Sequence, residues 1–285
     1  MADRPVDLLP AMPRLGALFA KAVLPVFHRG PARLPETTAM VIGVQPDPSR
    51  LADYDRVCGF TLRDHVPATW LHVLTFPLHI HLLSGPDSTI RLAGAVHVSN
   101  RMRLHRPVGG TEVVDIAVRI ENLRPHKRGA LLDVIGEVRV ADDLVWDGVS
   151  TYLAPGAVAA GAPEDTATDV FEAKPPIATW RLPADLGRDY RRVSGDPNPI
   201  HTSRVAARAF GFARPIVHGM WTHARLLAAL EPRLPDTYTA QARFARPILL
   251  PSTAGAWWHH DGDSWTAAVT TPDGAKPYLL AHLDP

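Results

Sequence analysis

From Val96 onward the chain alternates. Val96, Val98, Met102 and Leu104 fall on one side of an extended run, with His97, Ser99, Arg101 and Arg103 on the other. Val114, Ile116, Val118 and Ile120 share a face in the next run, and Leu132, Val134, Val138 and Val140 in a third, before "LVWDGVSTYL". A period of two over successive segments predicts an antiparallel sheet with one buried face. Ahead of it, "PATWLHVLTFPLHIHLL" (Pro67 to Leu83) is long and apolar, with Pro77 as its single turn signal. That predicts a buried helix, kinked or split at the proline. The order then recurs. "IVHGMWTHARLLAAL" (Ile216 to Leu230) is a helix candidate stopped by Pro232, and "TYTAQARFARPILL", "STAGAWWHH", "SWTAAVTT" and "PYLLAHL" are short and strand-like. The turns between the last of them carry Asp-Gly pairs, favoured in hairpins. The prediction is an α+β chain in which a sheet wraps one helix, twice.

Sequence matches support a duplication. Shifted by 136, Tyr54, Arg56, Val57, Gly59 and His65 fall on Tyr190, Arg192, Val193, Gly195 and His201; shifted by 140, Arg103, Arg106 and Pro107 fall on Arg243, Arg246 and Pro247. Two blocks in one order are harder to obtain by chance than one. Between the halves, "GAVAAGAPEDTATDVFEAKPP" is rich in Ala, Gly, Pro and acids and lacks periodicity, which marks a linker. The expected units are residues 1–155, a linker 156–176, and residues 177–285.

Composition narrows the classes. Thirty basic side chains nearly cancel twenty-nine acidic ones, for a net charge of +1, so nothing suggests a general attraction to nucleic acid or anionic lipid. The single Cys58 excludes an intramolecular disulfide and fits a reducing, cytoplasmic setting. "LGALFAKAVLPVF" (Leu15 to Phe27) is apolar but interrupted by Lys21. It falls short of the roughly 20 residues needed to span a bilayer, and reads as a packed terminal helix rather than a membrane insertion. His79/His81 and His259/His260 have no metal-site spacing, so no metal and no cofactor is expected. A homodimer is compatible with all of this.

The chemistry concentrates in "YRRVSGDPNPIH" (Tyr190 to His201). Pro197 and Pro199 fix their own φ and push Asp196 and Asn198 out of the helical region. Asp196 and His201 are thus pinned in a stiff turn, and His201 is expected to open a helix, "TSRVAARAFGF". An Asp and a His aimed at one small molecule suit general acid–base work on water. Downstream, "RPIVHGM" puts Gly219 near the start of the second apolar helix. There its N–H, aided by the helix dipole, suits an oxyanion. His218 beside it reads as a satisfied core histidine.

The set Gly-Asp-Pro-Asn-Pro-Ile-His followed by Arg-Pro-Ile-Val-His-Gly-Met resembles the MaoC-like, hydratase 2 family of (R)-specific enoyl-CoA hydratases. The match is close over Tyr190 to Leu230 and loose beyond. The resemblance implies a hot-dog fold. The full length looks like a double hot-dog 3-hydroxyacyl-thioester dehydratase of mycobacterial type. It further implies Asp196 and His201 as the catalytic pair, Asn198 as their support and the Gly219 amide as the oxyanion donor. The substrate would be a thioester of CoA or acyl carrier protein. Substrate-contacting residues are not identifiable. A thioesterase and a non-catalytic acyl-thioester binding protein are the alternatives.

In the first half the equivalent stretch is "YDRVCGFTLRDH": Phe60 stands opposite Asp196 and Leu62 opposite Asn198, leaving His65 without its carboxylate. Only Val66 separates His65 from Pro67, against the thirteen residues Thr202 to Arg214 that separate His201 from Pro215. The first half is therefore expected to be catalytically dead. Trp70, Leu74, Phe76 and Leu78 are expected to line a tunnel for acyl chains longer than four carbons.

Overall fold

A computed structural model describes residues 4–16, 18, 30–90, 94–163 and 171–285. Most of the apolar segment Leu15 to Phe27 lies outside them. In chain order the elements are β1 (Val6–Leu8), β2 (Thr38–Val44), α1 (Pro48–Cys58), α2 (Ala68–Leu83), β3 (Val96–Leu104), β4 (Val114–His126), β5 (Gly129–Val140) and β6 (Asp143–Pro155). Then follow β7 (Ala178–Leu182), α3 (Leu186–Ser194), a 3-10 turn (Pro199–His201), α4 (Arg204–Ala209), α5 (Gly219–Leu230), β8 (Tyr238–Phe244), β9 (Ser252–Asp261), β10 (Ser264–Thr270) and β11 (Pro277–Asp284).

The strands form one sheet of eleven, ordered β1-β2-β4-β5-β6-β3-β8-β11-β10-β9-β7. Every neighbouring pair is antiparallel except β1 with β2. The halves join at β3 and β8, where Ser99 faces Arg243, Arg101 faces Gln241 and Arg103 faces Thr239. Under the 140 shift these pairs map onto themselves, so a local twofold relation passes through Arg101 and Gln241. Each half-sheet wraps its own helix, α2 or α5: the architecture is the double hot-dog.

The alternation seen in the sequence is realised. Val114, Ile116, Val118, Ile120, Leu132, Val134 and Val138 are all buried against the helix layer. One strand departs from it. A register shift between His97 and Ser99 reverses the faces at the start of β3, so Val96 is 48% exposed while His97 turns inward with Asn100, Met102 and Leu104. The helix is not split at Pro77: α2 continues without a break to Leu83. The proline removes one backbone donor. Buried neighbours on both sides of it, Val73, Leu78 and Ile80, hold the helix in place. The second helix starts at Gly219 and not at Ile216, whose backbone instead bridges Leu249.

Elements without a long apolar period escaped the pattern: β1, β2, β7, α1 and α3. The two short helices are a repeat pair. Each ends on a left-handed glycine, Gly59 at φ 83° and Gly195 at φ 78°, whose N–H returns to a carbonyl of the last turn. They pack together, with the Tyr54 and Tyr190 rings 6.2 Å apart. No helix among the described residues is long and apolar enough to cross a membrane.

Candidate active site

Beyond Gly195 the chain makes a tightly bonded turn. The Asp196 N–H donates to Ser194 Oγ at 3.2 Å, the Asn198 N–H to Asp196 Oδ1 at 2.9 Å, and the Ile200 N–H to Asn198 Oδ1 at 3.3 Å. Asn198 thus caps the 3-10 turn that ends at His201. The turn also corrects the expectation that His201 opens a helix: α4 starts at Arg204, capped by Ser203 Oγ on the Ala206 N–H. Residues Thr202 to Arg214 form a loop pinned at its base. The Ile216 N–H donates to the Ile200 carbonyl at 3.2 Å, and His201 Nδ1 donates to the Ile216 carbonyl at 2.8 Å.

That last bond fixes the tautomer. With Nδ1 carrying the proton, Nε2 of a neutral His201 is the acceptor. Burial lowers the His201 pKa, opposed by the Asp196 carboxylate and the Ile216 carbonyl, so the ring is a neutral base at pH 7. Asp196 keeps a fifth of its side chain exposed. A carboxylate oxygen of Asp196 and one ring nitrogen each of His201 and His218 lie within 4.8 Å of one another. One water making two hydrogen bonds of about 2.8 Å spans such a gap.

His218 is buried as expected but is not satisfied. Neither ring nitrogen has a hydrogen-bond partner among the described residues, and Nε2 lies 3.8 Å from Asp196 Oδ2. Its ring stacks on His201 with centroids 3.6 Å apart and planes at 24°, and lies 4.9 Å from the Tyr190 ring. The trio has the composition of a metal site, but stacked imidazoles direct their in-plane lone pairs side by side rather than to a common point. The geometry suits a water bridge better than an ion.

Gly219 is the first residue of α5, so its N–H has no partner within the helix. A Cβ at 219 would lie 3.0 Å from Phe244 Cε1. Phe244 in turn touches His97, at 4.9 Å, and His97 stacks on Tyr152 at 4.6 Å. Burial first, then the Asp196 carboxylate, raises the Tyr152 phenol. Strands β3 and β6 of the first half therefore supply one wall of the site. Sequence reasoning missed this, because the bulge that turns His97 inward leaves no mark in the alternation.

It also missed Gly187. A Cβ there would meet the His201 carbonyl oxygen at 2.0 Å, so α3 can lie against the Asp196–His201 turn only with glycine at 187. Within the repeat its counterpart is Leu51, buried in the first half.

The first half is organised differently from expectation. His65 bridges Gly109 as Ile216 bridges Leu249, and the Val66 N–H donates to the Val108 carbonyl as the Val217 N–H donates to the Ile248 carbonyl. His65 therefore stands in the place of Ile216, not of His201. Pro67 and Ala68 stand in the places of His218 and Gly219. A third block of identity, Trp70 and His72 against Trp221 and His223 at a shift of 151, carried this signal. His65 does have a carboxylate beside it, Asp64, at 3.1 Å and on the surface. Of the four residues expected to line a tunnel, Trp70 and Leu78 are buried, Trp70 packing 5.1 Å from the Tyr54 ring. The cavity touching Leu74, bounded by Val66, Trp70 and Val114, holds about 20 Å³, space for one water and not for an alkyl tail.

Comparison with known proteins gives the family and agrees with the fold. The family described as MaoC like domain matches residues 164–276. A curated relative, 3-hydroxyacyl-thioester dehydratase X of Mycobacterium tuberculosis, is 37% identical over 93% of this chain and 94% of its own length. The crystal structure of HtdX from the same organism superposes with a TM-score of 0.78 at 36% identity, covering 87% of this chain and 99% of that one. A further protein of M. tuberculosis, described as having a double hot-dog fold, shares the architecture at a TM-score of 0.53 and 14% identity over 90% of this chain and 96% of that one. The chain belongs to the MaoC-like dehydratases.

Proposed function

We propose that this chain catalyses the reversible hydration of trans-2-enoyl thioesters to (R)-3-hydroxyacyl thioesters, carried on CoA or acyl carrier protein. Residues 177–285 supply the chemistry and residues 1–155 one wall of the site, joined by 156–176. One observation carries the reading: a carboxylate and a neutral imidazole, separated by the span of one bridging water, beside the free N–H that opens α5. The relative's name, a 3-hydroxyacyl-thioester dehydratase, supports the substrate class.

In the hydration direction Asp196 and His201 hold the water, and one of them takes its proton as the oxygen bonds to C3. The electrons of the C2–C3 double bond move to the thioester oxygen, where the Gly219 N–H meets the developing charge. A proton is then delivered to C2. Dehydration runs through the same groups in reverse. A positioned acid–base group contributes about 10²–10⁴-fold.

The test is product analysis on enoyl-CoA esters of several chain lengths. Loss of enoyl absorbance with a single (R)-3-hydroxyacyl product is the expected outcome. Release of free thiol without that product would make the protein a thioesterase, and binding without turnover would make it a carrier.

A further inference from the structure

The degenerate half shows what the fold requires at the start of a central helix. Pro67 before α2 and His218 before α5 share one backbone conformation, φ −62° and ψ 144° against φ −64° and ψ 131°. Proline fits that conformation unaided, so the fold does not require histidine there. Nor does the His218 side chain cap its helix. It is buried among Tyr190 and Arg191 of α3, Asp196 of the turn and His201 of the 3-10 turn. Burial, reinforced by His201 and Arg191, keeps it neutral, so it carries one N–H. Leaving a buried donor unpaired is unfavourable, and the Asp196 carboxylate lies 3.8 Å from Nε2.

We propose that His218 is a positioning residue, its Nε2–H aimed at Asp196 Oδ2 and its ring face holding the His201 plane, so that carboxylate and imidazole stay turned toward one water. This rests on Asp196 and His201 being the catalytic pair. A separation of 3.8 Å is longer than a hydrogen bond, and such contacts commonly tighten when substrate excludes bulk water. Asp196 Oδ1 already receives the Asn198 N–H. A donor on Oδ2 would leave the carboxylate a single orientation. The first half, which has no counterparts of Asp196 and His201, carries proline in the place of His218. That is the pattern expected of a residue kept for the reaction.

Two replacements separate the roles. His218→Phe keeps a ring to stack and removes the donor; His218→Gln removes the ring and restores an N–H near the Nε2 position. In the full-length enzyme His218→Phe should lower kcat about 10- to 100-fold, the loss of a hydrogen bond to a charged group, with KM within about threefold. His218→Gln should recover most of the rate. In an Asp196→Asn background His218→Phe should add little. Equal losses in the Phe and Gln variants would show mere packing and overturn the proposal, as would a parental rate in His218→Phe. If Asp196→Asn itself kept the parental rate, the catalytic pair and the positioning role would fall together. A dead Asp196→Asn with no rescue by His218→Gln would sink the positioning role alone.

Discussion

The two helix–turn–helix units, α1 to α2 and α3 to α5, begin alike and end alike. Both short helices carry a buried tyrosine and stop on a left-handed glycine. Both long helices carry a buried Trp and His two residues apart, Trp70 and His72 against Trp221 and His223. Between those fixed ends one unit has five residues, Phe60 to Asp64, before the β-bridge, and the other has twenty, Asp196 to Pro215. The insertion holds the whole Asp-Pro-Asn-Pro-Ile-His turn and its loop. Changes outside the insertion track it: Gly187 faces Leu51, His218 faces Pro67, and Gly219 faces Ala68. With no turn lying on α1, Leu51 occupies the room that Gly187 leaves for the His201 carbonyl. The half without the turn thus shows which residues the fold needs and, by difference, which the turn needs.

The largest effect that can break this comparison lies in the turn. Asp196→Asn and His201→Gln should each lower the hydration rate on a four-carbon enoyl-CoA by at least about 100-fold with the fold retained. Near-parental rates in either well-folded variant would leave the insertion without a function. The parent's pH profile adds a sign. His201 acts as a base only when unprotonated, and burial holds it below its ordinary value of 6.5. Activity should therefore persist as pH falls below 6.5 and fail only at more acidic pH. A profile that collapses between pH 8 and 7 would contradict a depressed His201.

A smaller loss should follow Gly187→Ala. The added methyl would lie 2.0 Å from the His201 carbonyl, so α3 or the turn must move. Misplacement on the order of 1 Å costs up to about 100-fold, so kcat should fall roughly 10-fold or more. The matching change in the first half, Leu51→Ala, should cost about 2 kcal/mol of stability and leave kcat within about twofold. If both variants lost stability equally and activity equally, the positions would be equivalent and the contrast between the halves would fail.

Much of this was legible from sequence. Period-two runs located β3 to β6, because each has one face on a helix. The proline-flanked turn exposed Asp196, Asn198 and His201, since stiffness of that kind is local. What stayed hidden was non-local. Gly187 matters only because another segment's carbonyl lies on it. His97 faces inward only because of a bulge. His65 was misassigned because residue types match at a shift of 136, whereas the bridges to Gly109 and Leu249 show which backbones coincide. His218 looked like core because burial alone cannot tell a bonded imidazole from an unbonded one.

Asp55 sharpens the comparison through stability. It occupies the position of Arg191, is 3% exposed, and its Oδ1 has no hydrogen-bond partner among the described residues. Burial, then the Glu231 carboxylate, raises its pKa from 3.8 to about 7. Between those values the native state holds a proton that the unfolded chain has released. Stability therefore falls as pH rises from about 4 to 7, and the penalty is complete above it. Asp55→Asn should raise the unfolding free energy at pH 8 by roughly 1–2 kcal/mol, with the gain vanishing below pH 4. Denaturant unfolding at both pH values checks this. A gain at pH 4 equal to that at pH 8 would show that ionisation is not the cause.

The smallest effect belongs to His65. By sequence it looks like a surviving half of a catalytic pair. By backbone pairing it sits where the second half has Ile216. Its side chain is 41% exposed and, among the described residues, its polar contact is with the fully exposed side chain of its neighbour Asp64. Even when charged, an exposed pair of this kind contributes about 0–1 kcal/mol. The bridge to Gly109 is made by backbone, which alanine preserves. His65→Ala should therefore change kcat and KM by no more than about twofold and leave the unfolding midpoint nearly in place. Its partner in the test is Ile216→Ala, at the structurally equivalent position. There a buried side chain is lost from the residue whose carbonyl holds His201, so activity should fall well beyond that of His65→Ala. If His65→Ala instead lost activity on the scale of His201→Gln, the first half would carry chemistry of its own. The pairing of His65 with Ile216 would then describe the backbone and not the function.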